Sequence, residues 1–395
     1  MVELEDMIEA YRLCLRHKRQ TTSCMEYRLN WMERLHCLTE SINSRRYYPS
    51  TSICFVVTRP RLREIFAANF KDRIIHHYIA LRLEPLLEEM FNPRTFNCRK
   101  HRGQLCGVER LRQDMYELSE GYTRDCWFMK LDLKGFFMSI DKRLLSDKVD
   151  TFIVERYEGA DKDDLRWLCR VVILHRPQLD CIRKSPDCLF ALLPDHKTAF
   201  RNDPDHGIAI GNLFAQIFAN FLLSDLDWFI ERTLSITCHG RYVDDIYMGH
   251  TDKQVLLSAV PRIRHELELL GLQLNERKFY LQHYSKGIRF TGAFVLPGRS
   301  YTLNRTVGNF VCAVHRLIAA RSLQQIREAV PSVNSYLGML RHYNEYALRR
   351  KWLSTIPDRL FKYIYIKGHY DVVSIRKRYR LPRNRISGYP SLSEV

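Results

Sequence analysis

The sequence predicts an α+β fold, with a ferredoxin-like split βαβ sheet between helical regions. Three observations carry that expectation. Residues 121–295 alternate β-prone and helix-prone segments in the order strand, helix, helix, hairpin, helix, strand. The stretches before residue 50 and after residue 304 show the apolar spacing of helices. Hydrophobic content of 46%, with 12% aromatic residues, is that of a chain of 395 residues that buries a core.

Residues 1–50 read as helices from the spacing in LEDMIEAYRLCL and WMERLHCLTESI, joined by the basic stretch HKRQTT. A turn at 43–50 leads to the strand STSICFVVT, the basic turn RPRLR and a second strand, EIFAANF. Residues 73–91 read as an amphipathic helix with a break or kink at Pro85. CRKHRGQLCGVERLRQDMYEL gives a basic, glycine-containing loop and a further helix. Next come a strand at 125–133 and helices at 142–157 and near 164–174. Residues 176–207, rich in Pro, Asp and charge, read as an inserted loop, functional or mobile at that length. IAIGNLFAQIFANFLLSDLDWFI is a loop-to-helix element, followed by the hairpin GRYVDDIYMGH and the helix and turn of PRIRHELELLGLQLNERK. GIRFTGAFV is read as the closing strand. Beyond it lie the helices TVGNFVCAVHRLIAA and SVNSYLGMLRHYNEYALRRKWL, then a tail with Arg376, Lys377, Arg378, Arg380, Arg383 and Arg385.

A net charge of +17, from 62 Lys+Arg against 45 Asp+Glu, calls for a polyanionic partner. Nucleic acid is the first candidate and an anionic membrane surface the second. No run of 18 uninterrupted apolar residues occurs, so no membrane span or membrane partner is expected. The acidic, amphipathic start lacks the pattern of a secretory signal. Twelve cysteines without a CxxC pair fit free thiols in a reducing, cytoplasmic setting better than a zinc site.

Asp132, in FMKLDLKGFFMSID, and Asp244-Asp245, in GRYVDDIYMGH, each ride on a β-prone apolar run. Alone, either reads equally well as a strand-end carboxylate or an Asp-rich hairpin turn. Brought together from separate strands, such carboxylates can hold two Mg2+ ions for phosphoryl transfer. Phe137 is placed to collide with a ribose 2′-hydroxyl, though LKGFF also suits an alternating strand end. Gly211, after Ile210, allows close approach of backbone to a base or sugar. Arg61, Arg63, Lys71 and Arg73 are candidates for gripping triphosphate and template backbone, or form a solvated basic face. Lys278 is placed to protonate a pyrophosphate leaving group, or is an ordinary surface lysine.

The ordered set RPRLREIFAANFKDR, NCRKHRG, LDLKGFF, IGNLFAQ, YVDD, GLQLNERK and IRFTGAF resembles the successive blocks of bacterial reverse transcriptases, over roughly residues 50–355. Within these it is similar to the enzymes of diversity-generating retroelements. Most relatives carry Gln-Gly and end the central block in Ser-Pro; that subfamily has Ile-Gly and Ser-Gln. Here the block holds Ile210-Gly211 and ends in Ala215-Gln216, so Ala215 departs from the pattern. The resemblance implies a right-hand polymerase: fingers over 1–120, a ferredoxin-like palm over 121–298 with the insertion 176–207, a helical thumb over 299–370 and a basic tail over 371–395. It implies that Asp132, Asp244, Asp245 and the Leu133 carbonyl hold two Mg2+, with Mn2+ as a substitute. Arg63, Arg73, Phe137, Ile210, Gly211 and Lys278 would face the dNTP. Arg61, Lys71, Tyr242, Arg376, Lys377, Arg378 and Arg380 would face nucleic acid. The implied partners are template RNA, cDNA and a small basic helical accessory protein, and the implied product is cDNA mutated at template adenines. A reverse transcriptase of another bacterial lineage, antiphage or group II intron-like, fits the same motifs, and a non-catalytic RNA-binding relative fits the charge.

Overall fold

The computed structural model describes residues 1–16, 21–58 and 61–380. The chain divides into two compact units, Met1–Lys286 and Gly287–Val395.

The first unit opens with helices α1 (Leu4–Leu15), α2 (Thr22–Arg28) and α3 (Trp31–Asn43). Residues 17–20 of the HKRQTT stretch and residues 59–60 of the RPRLR turn lie outside the described residues. Strands β1 (Ser52–Val57) and β2 (Arg63–Ala67) pair antiparallel, Ile53 opposite Ala67 and Val57 opposite Arg63. The expected strand EIFAANF stops at Ala67 because Asn69 caps a helix, its side chain accepting the Lys71 N–H at 3.2 Å. That helix, α4 (Phe70–Met90), is not amphipathic. Phe70, Ile74, Ile75, Tyr78, Ile79, Ala80, Leu83 and Leu87 are all buried, because α1 and a later helix both pack on it. Pro85 lies on its exposed side and the helix continues through it.

Helix α5 (Gln104–Leu118) precedes β3 (Trp127–Asp132), the short α6 (Phe136–Ser139), α7 (Lys142–Arg156) and α8 (Lys162–Leu174). The expected inserted loop is built structure rather than bare chain. It holds β4 (Cys181–Arg183), α9 (Asp187–Ala191) and several 3-10 turns. β4 pairs parallel with β1, and Phe190 and Leu193 are buried against Cys54, Val56 and Phe66. The apolar residues in CIRKSPDCLFALL, too sparse to read as an element, bury against a sheet face that sequence periodicity does not reveal.

Helices α10 (Leu213–Leu222) and α11 (Ser224–Trp228) lead to the hairpin β5 (Cys238–Tyr242) and β6 (Asp245–His250), then α12 (Lys253–Leu269) and β7 (Tyr280–His283). The stretch Leu213–Thr233 is long and apolar enough to cross a membrane, but 72% of its most apolar window is buried, and α10 packs on α4 as a core helix. Strand order is β5-β6-β3-β7, all antiparallel, which is the ferredoxin-like order. The closing strand is YLQH of β7, not GIRFTGAFV, because Tyr280–His283 takes the open edge of β3 first.

In the second unit GIRFTGAFV forms two strands instead, β8 (Ile288–Phe290) and β9 (Ala293–Leu296), in a meander with β10 (Arg299–Thr302). Helices α13 (Asn304–Ala319), α14 (Leu323–Leu340), α15 (Tyr346–Leu353) and α16 (Asp358–Phe361) follow. The chain then forms a hairpin not foreseen from the sequence, β11 (Ile364–Lys367) and β12 (Val372–Ile375). Ile364 and Val373 of this hairpin are buried with Phe310, Val330 and Leu337.

Candidate active site

β3 and β6 lie side by side with Asp132 opposite Asp245, at the end where β5 turns into β6. Tyr242 pairs with Asp245, so Val243-Asp244 is a two-residue turn, and Asp244 stands at its tip. Val243 has φ 59, a conformation that a β-branched residue adopts only under constraint. The constraint is visible. The Val243 N–H donates to Asn97 Oδ1 at 2.8 Å, and its carbonyl accepts from Arg241 Nη1 at 3.2 Å. Arg241 is fully buried, and its fork donates to both oxygens of Asp227 at 2.8 and 2.6 Å and to Asn220 at 3.1 Å. Thr95 donates to the same Asp227 at 2.6 Å. A satisfied buried network of this kind over-determines the turn and fixes where the two carboxylates point.

Two lysines hold two of the three carboxylates. Lys278 Nζ donates to both oxygens of Asp132 at 2.8 and 2.7 Å, and Asn275 Nδ2 to one of them at 3.2 Å. Lys130 Nζ lies 3.0 Å from Asp245. Asp244 has no such partner among the described residues. Burial first, then the charges of Asp245 and Asp132, push its carboxyl up to about 6. Burial also raises Asp245, against the pull of Lys130. The donor set therefore fits divalent cations in chemistry, with hard carboxylate oxygens carrying more negative charge than the lysines neutralise. As the side chains stand, no group of three His, Cys, Asp or Glu is spaced to hold a metal among the described residues, and Lys278 occupies Asp132.

The other residues singled out in the sequence are spread over several elements. Leu133 is buried next to Asp132 and bridges to Leu274. Phe137 lies in α6, not at a strand end, and packs against Phe136; its carbonyl accepts the Ile208 N–H at 2.9 Å. The Ile210 carbonyl accepts the Phe66 N–H at 3.0 Å, so one ladder of backbone bonds runs from α6 through Ile208 and Ile210 to β2. Gly211 (φ +117) is required by that ladder: a Cβ there would come within 2.8 Å of Ile65 and 3.0 Å of the Phe66 carbonyl. Its close approach is thus to β2. Arg63 begins β2, and Arg73 Nε donates to the Ala68 carbonyl at 2.9 Å. Tyr242 ends β5 beside Asp245. Arg61 is exposed, and Lys71 Nζ sits 5.7 Å from the Tyr47 ring. Arg376, Lys377, Arg378 and Arg380 belong to the second unit; Arg383 and Arg385 lie outside the described residues.

Lys130, Asn275, Asn97 and the Arg241–Asp227 pair were not anticipated. Lys130 was accessible in principle, since strand alternation puts it on the face of Asp132. The others come from sequence-distant segments. Beside Lys278 a cavity of about 680 Å3 is lined by Lys134, His196, Arg264 and Arg277 together with Glu268 and Glu276.

No curated protein matches the sequence. Among solved structures, an apo telomerase from Candida tropicalis is similar at 13% identity and a TM-score of 0.48, over 78% of this chain and 59% of that one. A telomerase from Candida albicans in complex with a TWJ fragment of telomeric RNA is similar at 12% identity and a TM-score of 0.45, over 79% and 56%. The chain thus spans less than two thirds of either telomerase. The α+β composition around a ferredoxin-like sheet is that of a right-hand polymerase. The profile described as "Reverse transcriptase (RNA-dependent DNA polymerase)" matches residues 58–295, more than half of the chain and every carboxylate above, and so the chain belongs to the reverse transcriptase family.

Proposed function

We propose that this protein synthesises cDNA on an RNA template, using Asp132, Asp244 and Asp245 as its catalytic carboxylates. The observation that carries the reading is the convergence of these three side chains at one end of β3 and the β5–β6 turn, with more negative charge than Lys130 and Lys278 balance. These carboxylates and the Leu133 carbonyl would hold two Mg2+, or Mn2+, which when bound neutralise charge on the attacking and leaving oxygens. The reaction is attack of a primer 3′-oxygen on the α-phosphate of a dNTP, with pyrophosphate leaving. Asn97 and Arg241 hold the backbone of the turn in place, so metal binding would ask for side-chain movement, the release of Asp132 from Lys278 included, rather than movement of the chain. Lys278, which lines the neighbouring cavity, would protonate the departing pyrophosphate once released from Asp132. Phe137 would exclude a ribose 2′-hydroxyl, and Arg63 and Arg73 would bind triphosphate. In this reading fingers, palm and thumb keep the order expected from the sequence, the segment from residue 371 begins as part of the β11–β12 hairpin rather than as a tail, and the setting is cytoplasmic.

Asp244→Asn should lower RNA-templated primer extension by about two to three orders of magnitude, the size of effect of removing one preorganised electrostatic group. Its melting curve should remain that of a folded protein. Extension at the wild-type rate would remove Asp244 from the site.

The finer reading is an enzyme of a diversity-generating retroelement, acting with a small basic accessory protein and erring at template adenines. It rests on Ile210-Gly211 and Ala215-Gln216. Ile offers shape alone where Gln would hydrogen-bond, a difference of about 0.5–1.5 kcal/mol in discrimination. Ile210→Gln should lower misincorporation opposite template adenine roughly several-fold. An unchanged error spectrum in sequenced cDNA would favour another bacterial lineage, as would DNA around the gene without a template and variable repeat pair.

A further inference from the structure

The β11–β12 hairpin has two unlike faces. Ile364, Ile366, Val373 and Ile375 pack against the core of the second unit. Strand alternation puts Tyr365 and Lys367 on the other face, with Ser374 opposite Tyr365 across the ladder. Lys367 Nζ is 5.4 Å and the Arg376 guanidinium 5.9 Å from the Tyr365 ring. Immediately beyond β12, the Tyr379 ring lies 4.9 Å from that of Tyr363, with Arg378 4.7 Å from the Tyr379 ring and Lys362 5.8 Å from the Tyr363 ring.

Charge around the hairpin is unbalanced. Lys362, Lys367, Arg376, Lys377, Arg378 and Arg380 form no salt bridge among the described residues; the hairpin's own Asp371 is taken by Arg349. Arg376 and Arg380 donate instead to the carbonyls of Phe361 and Ile375, which fixes the guanidinium groups without neutralising them. Gathering like charges costs stability unless an anion completes the set. The Tyr365 hydroxyl senses the same field: it is held below the usual tyrosine range by hydrogen bonding to Lys367 and by the nearby cations.

Aromatic rings interleaved with unpaired cations suit a ligand that carries a phosphate beside each flat base. A duplex hides its base faces and would use only the cations; a single strand uses both. The paired hydroxyls of Tyr365 and Ser374 also offer partners to a ribose 2′-hydroxyl. We propose that the outward face of β11–β12 binds single-stranded RNA, a base stacking on Tyr365 and phosphates lying on Lys367 and Arg376. This rests on the polymerase reading only in that the enzyme's template is the natural occupant.

The test uses the full chain carrying Tyr365→Ala, Tyr365→Phe, or Lys367→Gln with Arg376→Gln. Binding is measured by fluorescence anisotropy over a salt series with an oligouridylate, the matching oligothymidylate and an RNA duplex. Tyr365→Ala should weaken oligouridylate binding by about 5- to 150-fold, the effect of losing one base stack, with an unchanged salt slope. Tyr365→Phe should restore most of it. The double Gln variant should lower the slope by about 1.4, two phosphate contacts. Wild-type binding by Tyr365→Ala overturns the proposal. So does a loss shared equally with the duplex, which would mean a general polyanion surface, or one larger on oligothymidylate. Primer extension on a short template is run alongside: no extension by the wild type counts against the polymerase reading, while the binding series still decides this one.

Discussion

Lys278 and Lys130 leave Asp244 as the carboxylate whose charge is least compensated, and its behaviour with pH follows from that. Its carboxyl titrates near 6 in the folded protein and near 3.9 in an unfolded chain. A raised folded value means that the folded state holds the extra proton between those limits. The cost of ionising Asp244 is therefore absent below about pH 4 and fully present above about pH 6. Mg2+ relieves that cost only where the group is ionised. The rise in melting temperature with millimolar Mg2+ should be larger at about pH 7.5 than at about pH 5. Equal rises at both would mean that the cation binds elsewhere. The three aspartates were legible in the sequence because carboxylates on two β-prone runs have few other reasons to recur. Asn97 and Asn275 were not, since a single Asn carries no spacing and its role depends on which distant strand it meets.

At the scale of elements, the β5–β6 turn depends on a buried ion pair more than on its own residues. Arg241 of β5 and Asp227 of α11 are 0% and 1% exposed, and the same arginine holds the strained Val243. Breaking one side of such a pair leaves an uncompensated buried charge. Asp227→Asn should cost about 3–5 kcal/mol in urea unfolding. It should also lower primer extension in protein that is still folded, because the turn is released. A loss under about 1 kcal/mol would show the pair to be dispensable. The sheet order was readable from the alternation of elements, whereas the identity of its last strand was not. YLQH is half-buried on both faces and lacks any alternation, while GIRFTGAFV has the stronger β composition and pairs elsewhere. The insertion was misread for a related reason: β4 is three residues long and exists through its pairing with β1. Such elements are made by their neighbours, and local pattern cannot report them.

At the scale of the whole molecule, the charge of +17 fixes the sign of the partner, and the two-unit division decides which parts can be removed. The basic C-terminal segment reads in sequence as one tail from residue 371, yet its first part is structural. Val373 is buried in the core of the second unit, and Asn334 on α14 donates to its carbonyl and accepts its N–H, both at 2.8 Å. Deleting residues 371–395 removes β12 and leaves β11 without a partner, so it should lower the melting temperature and disturb binding for reasons unrelated to charge. Deleting only 381–395 removes Arg383 and Arg385 and none of the described hairpin. The shorter deletion should keep the wild-type melting temperature and lower the salt slope of RNA binding by no more than about 1.4, the share of two phosphates on a single strand. A larger fall would place further contacts within 381–395. An unchanged slope would confine the RNA contacts to residues up to 380, where Lys367 and Arg376 are the first to test.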